Sequence, residues 1–278
     1  MNESGGLWID GGSDHDVRNV EVFGDGKNSL IAIWNTKKSS YTKLFVHDAA
    51  YDSPIATDDV LQGIFLLRNI DCILQSPSVS RLHGNANHRF PNRFTRGITL
   101  AGNVRVGIVD AAVGDVDQGV DITGSDGNRN CTVLRAHCIR CNSVGVKLAN
   151  SAVSCRVMDS VTEDCGLVGF LASGPSEPGL RYKTQDCDFI RCTAFDIGYN
   201  GFADSAPHAG FRLERNRYDP DYPMGIRFIG CRSIDRQRVK TMEYGFYSHI
   251  DSGGTKPNQL IDCQSEGHIK TAISGRWG

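Results

Sequence analysis

Cys131-Thr-Val-Leu-Arg-Ala-His-Cys138-Ile-Arg-Cys141-Asn-Ser-Val-Gly145-Val-Lys-Leu148 aligns without a gap on Cys155-Arg-Val-Met-Asp-Ser-Val-Thr-Glu-Asp-Cys165-Gly-Leu-Val-Gly169-Phe-Leu-Ala172. The offset from Cys131 to Cys155 is 24 residues, and Cys, Val, Cys, Val and Gly recur at matching places. Looser copies follow. Cys187 and Cys192 lead to Gly201-Phe-Ala, Cys231 leads to Gly245-Phe-Tyr-Ser248, and Cys263 opens a last copy. The first cysteine of a copy usually follows a polar turn former: Asn130, Ser154, Asp186 or Asp262. Towards the N-terminus only a Gly-apolar-x-apolar core persists, in Gly63-Ile-Phe-Leu66, Gly97-Ile-Thr-Leu100 and Gly119-Val-Asp-Ile122.

A short repeat of this kind cannot bury its apolar side alone, and stacking the copies buries it continuously. The leucine-rich signature is missing, and helical repeats are longer and carry amphipathic stripes. What remains is a coil of three short strands and three turns. The expected fold is therefore all-β: a single-stranded right-handed parallel β-helix of roughly 24-residue coils, one domain over residues 1–278. Equivalent residues then lie above one another at about 4.8 Å. Cysteine over cysteine becomes a buried, reduced ladder. The alternatives are weaker. The chain has ten cysteines, but Cys138 and Cys141 form a lone CxxC with no second pair at zinc spacing. No basic-then-apolar leader accompanies them to favour disulfides. His137 reads as a coil or corner residue beside Cys138.

The formal net charge of −2 and pI near 6.4 argue against a nucleic-acid partner. No apolar run is long enough to span a bilayer, so no membrane partner is expected. The opening Met1-Asn2-Glu3-Ser4-Gly5-Gly6 reads as a chain made in the cytoplasm, virion-associated, or secreted if the N-terminus continues upstream. Pro, Gly, Asp and Ser cluster at 173–183, 204–209 and 216–223, which read as loops inserted at coil corners. A further loop is expected at 76–94, with His83, His88, Arg89 and Arg93.

The repeat pattern resembles the pectate lyase-like superfamily of right-handed β-helices over most of the chain. That superfamily holds polysaccharide lyases, polygalacturonase-type hydrolases, uronan epimerases and phage tailspike depolymerases. Two fragments add to the resemblance. Trp8-Ile9-Asp10 matches the start of a Trp-Ile-Asp-His motif, with Gly11 in place of His. Arg89-Phe90-Pro91-Asn92-Arg93 is similar to Arg-x-Pro-x-x-Arg, one residue short. The resemblance implies an acidic polysaccharide as partner, homo-oligomers of the tailspike kind, and an active site on an outer sheet face beside the loops.

Alternation locates that face. In Gly-apolar-x-apolar the apolar residues point inward and x points out. The outward stripe reads Trp8, Phe65, Thr99, Asp121, Lys147, Leu171, Arg212, Tyr247. The outward position two residues on gives Asp10, Leu67, Ala101, Thr123, Ala149, Ser173, Glu214, His249. Candidate catalytic residues are thus Lys147, Arg212, Asp121, Glu214, Tyr247 and His249. A lyase needs a cation to hold a uronate carboxylate, as Arg212 is placed to do. It also needs a base, either Lys147 or the Tyr247 and His249 pair. A hydrolase needs two carboxyl groups, here Asp121 and Glu214. An epimerase shares the lyase's proton abstraction, and a binding module needs none of these groups. Trp8, Phe65, Arg89 and Arg93 are the candidate substrate-binding residues. Asp115, Asp117 and Asp121 offer spaced carboxylates for a calcium ion, a cofactor that many lyases of the superfamily use. The same Asp117-Gln-Gly119-Val-Asp121 segment resembles a polygalacturonase strand whose other signatures are missing here.

Overall fold

Short alternating runs that end in turn formers give parallel strands one coil apart, and every strand pairing described is parallel. The computed structural model describes residues 6–26, 28–51, 60–84, 95–174, 183–198, 207–215, 223–249 and 256–277. Among these residues one sheet stacks ten strands, from Leu7–Asp10 through Gln118–Ile122, Val144–Leu148, Val168–Ser173 and Ala209–Glu214 to Thr271–Ser274. A sixteen-stranded sheet forms the other two sides. It bends at Ser40–Ala50, whose first half pairs with Ile73–Gln75 and whose second half pairs with Ser78–His83. No helix among the described residues is long and apolar enough to cross a membrane.

Corners are made by single residues in the left-handed region. Asn130, Arg135 and Arg140 have φ of 55°, 52° and 50°, and Ser154, Asp159 and Asp164 have 53°, 50° and 51°. The spacing of five residues gives one corner after each three-residue strand. Asn and Asp tolerate this conformation best. Arg81, Arg105, Arg135, Arg140 and Arg191 occupy it while each reaches a carboxylate one coil below. Arg135 Nε lies 2.6 Å from Asp110, and Arg191 Nε lies 2.7 Å from Asp159.

The core consists of stacked columns. Register places Cys131, Cys155 and Cys187 in line, since Arg156 pairs with both Thr132 and Asp188. Cys141 and Cys165 make a second column. Cys231 and Cys263 do not continue the first column, as the repeat suggested. They stack on Cys192, on the neighbouring side, because Thr193 pairs with Arg232 and Arg232 with Gln264. All ten cysteines are free, and nine are buried. Phe170, Phe211 and Phe246 stack at 4.9 Å centroid spacing towards the C-terminal end.

Glycine opens the first sheet's strands for a steric reason. A Cβ on Gly145 would lie 2.4 Å from Thr162 Cγ2 and 2.8 Å from the Gly169 carbonyl. At one corner a buried amide ladder continues the stack. Asn69, Asn103 and Asn128 each donate to a carbonyl of the first sheet's chain, at 2.8, 2.9 and 3.0 Å. Each of Asn69, Asn103 and Asn128 also accepts from the backbone N–H of the coil before it, Asn69 from Thr36.

Further expectations are corrected. The segment 76–94 is not all loop. Ser78–His83 is a strand, because Val79 and Leu82 alternate into the core. The first-sheet copy after Cys192 is Gly210-Phe211-Arg212-Leu213, on the strand Ala209–Glu214. Gly201-Phe-Ala lies outside the described residues. Coil length also departs from 24 residues, from 22 (Thr99 to Asp121) to 41 (Leu171 to Arg212).

Candidate functional site

The outward stripe assembles in register as Trp8, Ala32, Phe65, Thr99, Asp121, Lys147, Leu171, Arg212, Tyr247 and Ser274. Ala32 and Ser274 are additions to the sequence reading. The next outward column gains Trp34 between Asp10 and Leu67. Their strand, Ser29–Trp34, begins without the glycine that marks the other copies. A third outward column carries Gln62, Arg96, Gln118 and Val144. Arg96 sits one residue before the repeat glycine, a position that the two-column reading did not follow.

Asp121 faces outward from its strand yet is 0 % exposed. Arg96 Nε lies 3.3 Å from one carboxylate oxygen and Lys147 Nζ 3.8 Å from the other. Neither oxygen receives an aligned hydrogen bond among the described residues. Burial without hydrogen bonds is costly for a carboxylate, so the two cations are what hold it there. Lys147 Nζ also donates to Gln118 Oε1 at 3.4 Å.

Beside this group a cleft of about 300 Å³ opens on the same face. Lys147, Gln118 and Ser143 line one side, Glu214, Arg215 and Ser173 the other, and Val144 and Leu171 give apolar ground between them. Glu214 is held by Arg212, whose Nη2 donates to Oε1 at 3.0 Å. Arg212 itself is 4 % exposed and does not line the cleft, so it positions Glu214 and does not meet a ligand there.

Tyr247 and His249 lie one coil beyond Arg212 and Glu214, with ring centroids 6.0 Å apart. Tyr244 adds a third ring, 5.0 Å from Tyr247, and Lys270 Nζ sits 5.3 Å over Tyr244. At the other end of the face, Trp8 and Trp34 are 4.7 Å apart, and Phe65 meets Trp34 edge-on at 6.2 Å.

The structure therefore brings Lys147 and Glu214 to one cleft, with Asp121 buried behind Lys147. Asp121 and Glu214 do not flank a common opening, being three coils apart along the stripe. The carboxylates expected to hold calcium do not converge. Asp115 is at a corner, paired with Arg140 at 2.8 Å, and Asp121 is enclosed by its two cations. No three ligating side chains gather for a metal among the described residues. His137 is a surface residue 3.6 Å from Glu163. Arg89 and Arg93 lie outside the described residues.

No family model matches the chain, and no curated protein sequence matches it significantly. Solved structures do. The endo-xylogalacturonan hydrolase of Aspergillus tubingensis aligns at TM-score 0.54 and 11 % identity, covering 96 % of this chain and 84 % of its own. An alginate lyase from a Paenibacillus species aligns at 0.44 and 11 %, covering 97 % and 98 %. The A-module of a mannuronan C-5 epimerase from Azotobacter vinelandii aligns at 0.30 and 10 %, covering 99 % and 83 %. The first of these likenesses carries the fold, and with the all-parallel stack described above it makes this chain a right-handed parallel β-helix.

Proposed function

We propose that this protein is a polysaccharide lyase that cleaves a uronate-containing chain in the cleft between Lys147 and Glu214. The observation that carries the reading is the composition of that cleft: two cations, Lys147 and Arg215, and one carboxylate, Glu214, over an apolar strip. The xylogalacturonan hydrolase that shares the fold supports a polysaccharide ligand. A hydrolase needs two carboxyl groups flanking the bond. Among the described lining residues Glu214 is the only one, because Asp121 is buried. Elimination needs no such pair.

In this reading Arg215 holds the uronate carboxylate and withdraws charge from C5. On substrate binding the Lys147 ammonium gives up a proton to solvent, and the amine so formed takes the C5 proton, the electron pair forms the C4–C5 double bond, and the C4–O glycosidic bond breaks. The ammonium of Lys147 then returns a proton to the departing oxygen. Glu214, fixed by Arg212, accepts hydrogen bonds from sugar hydroxyls. Calcium has no fitted site among the described residues, so no step runs through it.

The test is a panel of uronate polymers, assayed with calcium and with chelator, for ultraviolet absorbance of the unsaturated product. Lys147→Arg keeps the positive charge but offers no base at neutral pH. It should lower the rate about 100-fold or more, the usual contribution of a general base. An active Lys147→Arg variant removes Lys147 from the proton transfer. Reducing ends without absorbance would mean hydrolysis, and binding to the whole panel without cleavage would mean a non-catalytic module.

A further inference from the structure

The outer face changes character along the stack. On the strands Leu7–Asp10, Ser29–Trp34 and Leu61–Leu67 the one charged residue is Asp10. The following strands of the same face carry Arg96, Asp121, Lys147, Arg212 and Glu214. In place of charge the first three strands present rings. Trp8 is 41 % exposed and packs on Trp34, which in turn meets Phe65. Asp10 is exposed, and Asn35 Nδ2 donates to it at 2.8 Å.

From these observations we infer that Trp8 and Trp34 form a second carbohydrate site, which takes neutral pyranose residues of the same polysaccharide that occupies the cleft. The inference rests on the cleft reading for the second half of that statement. The ring faces of tryptophan match the apolar C–H faces of a pyranose. No cation stands on these strands to neutralise a uronate, and the Asp10 carboxylate beside Trp34 repels one.

The site lies on the same sheet face as the cleft. Trp8 reaches Lys147 in five register steps, through Ala32, Phe65, Thr99 and Asp121. At about 4.8 Å per step that is about 24 Å along the stack axis. Of the intervening stripe residues, Ala32, Thr99 and Asp121 are buried, and Phe65 keeps partial exposure. The substrate class that fits is a heteropolysaccharide with neutral sugars and uronate, in preference to a uronate homopolymer.

Affinity electrophoresis of the full chain tests this without requiring turnover. Gels carry galactan, xyloglucan or galactomannan as neutral probes, or polygalacturonate as the acidic one. At least one neutral polymer should retard the parent, and Trp8→Ala should weaken that retardation about tenfold, with Trp8→Phe recovering most of it. No retardation by any neutral gel, or Trp8→Ala migrating like the parent, overturns the inference. Polygalacturonate retardation that depends equally on Trp8 overturns the preference for neutral residues. The cleft reading fails separately: Trp8-dependent neutral binding with no unsaturated product from any polymer supports this site and removes only the elimination chemistry.

Discussion

Replacing Asp121 by Asn keeps the shape of a buried side chain and removes its charge. At an effective dielectric constant of about 20, the contacts at 3.3 and 3.8 Å are worth about 5 and about 4 kcal/mol of gross attraction. Desolvation of the enclosed carboxylate and its partly buried partners offsets most of this. Breaking a buried pair by removing one partner costs about 3–5 kcal/mol. Here the surviving cations can rehydrate in part, since the Arg96 and Lys147 side chains keep 27 % and 18 % of their exposure. The expected loss for Asp121→Asn is therefore about 2–3 kcal/mol. Urea unfolding followed by circular dichroism reads this as a lower midpoint at unchanged slope. Lys147→Met in the Asp121→Asn background should cost less than it does alone, by about 1 kcal/mol, because the repulsion between two unpaired cations is gone. An Asp121→Asn variant as stable as the parent, with additive double-mutant energies, would refute the claim that Asp121 is held by its cations.

The same packing fixes three further outcomes. Iodoacetamide on the native protein should label at most Cys263, and that slowly because a hydrogen bond to Cys231 and burial push its thiol up, whereas all ten thiols should label in urea, by intact mass. Nine cysteines are buried, and a hydrogen bond to Cys192 together with burial pushes the Cys231 thiol up to about 12. Hydrogen bonds from Arg105, Arg135 and Arg191 hold the Asp71, Asp110 and Asp159 carboxyls below their usual range. A depressed folded pKa stabilises above the unfolded value near 3.9, and that contribution is lost as pH falls through the lower folded value. Tm should drop below about pH 4, and Asp110→Asn with Asp159→Asn should flatten that drop; an unchanged profile would show that the corner pairs contribute nothing. Gly145→Ala forces a methyl against Thr162 and the Gly169 carbonyl, and should cost about 1–3 kcal/mol in urea unfolding, whereas a neutral effect would mean that the coils part easily there.

The repeat that runs from Cys131 to Ala172 determined the solenoid by itself, because a stack puts equivalent residues in line and each strand must alternate. The outer stripe followed from that rule, and Asp121, Lys147, Leu171 and Arg212 are neighbours in the order read. Turn chemistry was legible too: Asn130, Ser154, Asp186 and Asp262 all have positive φ. Insertions hid the rest. The ladder from Asn69 to Asn103 to Asn128 steps by 34 and then 25 residues, so no fixed period reveals it. Register alone moved Cys231 from one side of the coil to another.

Burial was also beyond the sequence. Alternation says that Asp121 points out, but only the packed neighbours Arg96 and Lys147 decide that it is enclosed. The same holds for Arg212, which turns to Glu214 and leaves the cleft to Arg215. Periodicity within one chain fixes direction and order along the stack, because these depend on local geometry repeated. Which side chains meet, and which face water, depends on contacts between residues tens of positions apart, and those lengths are set by loops that follow no period.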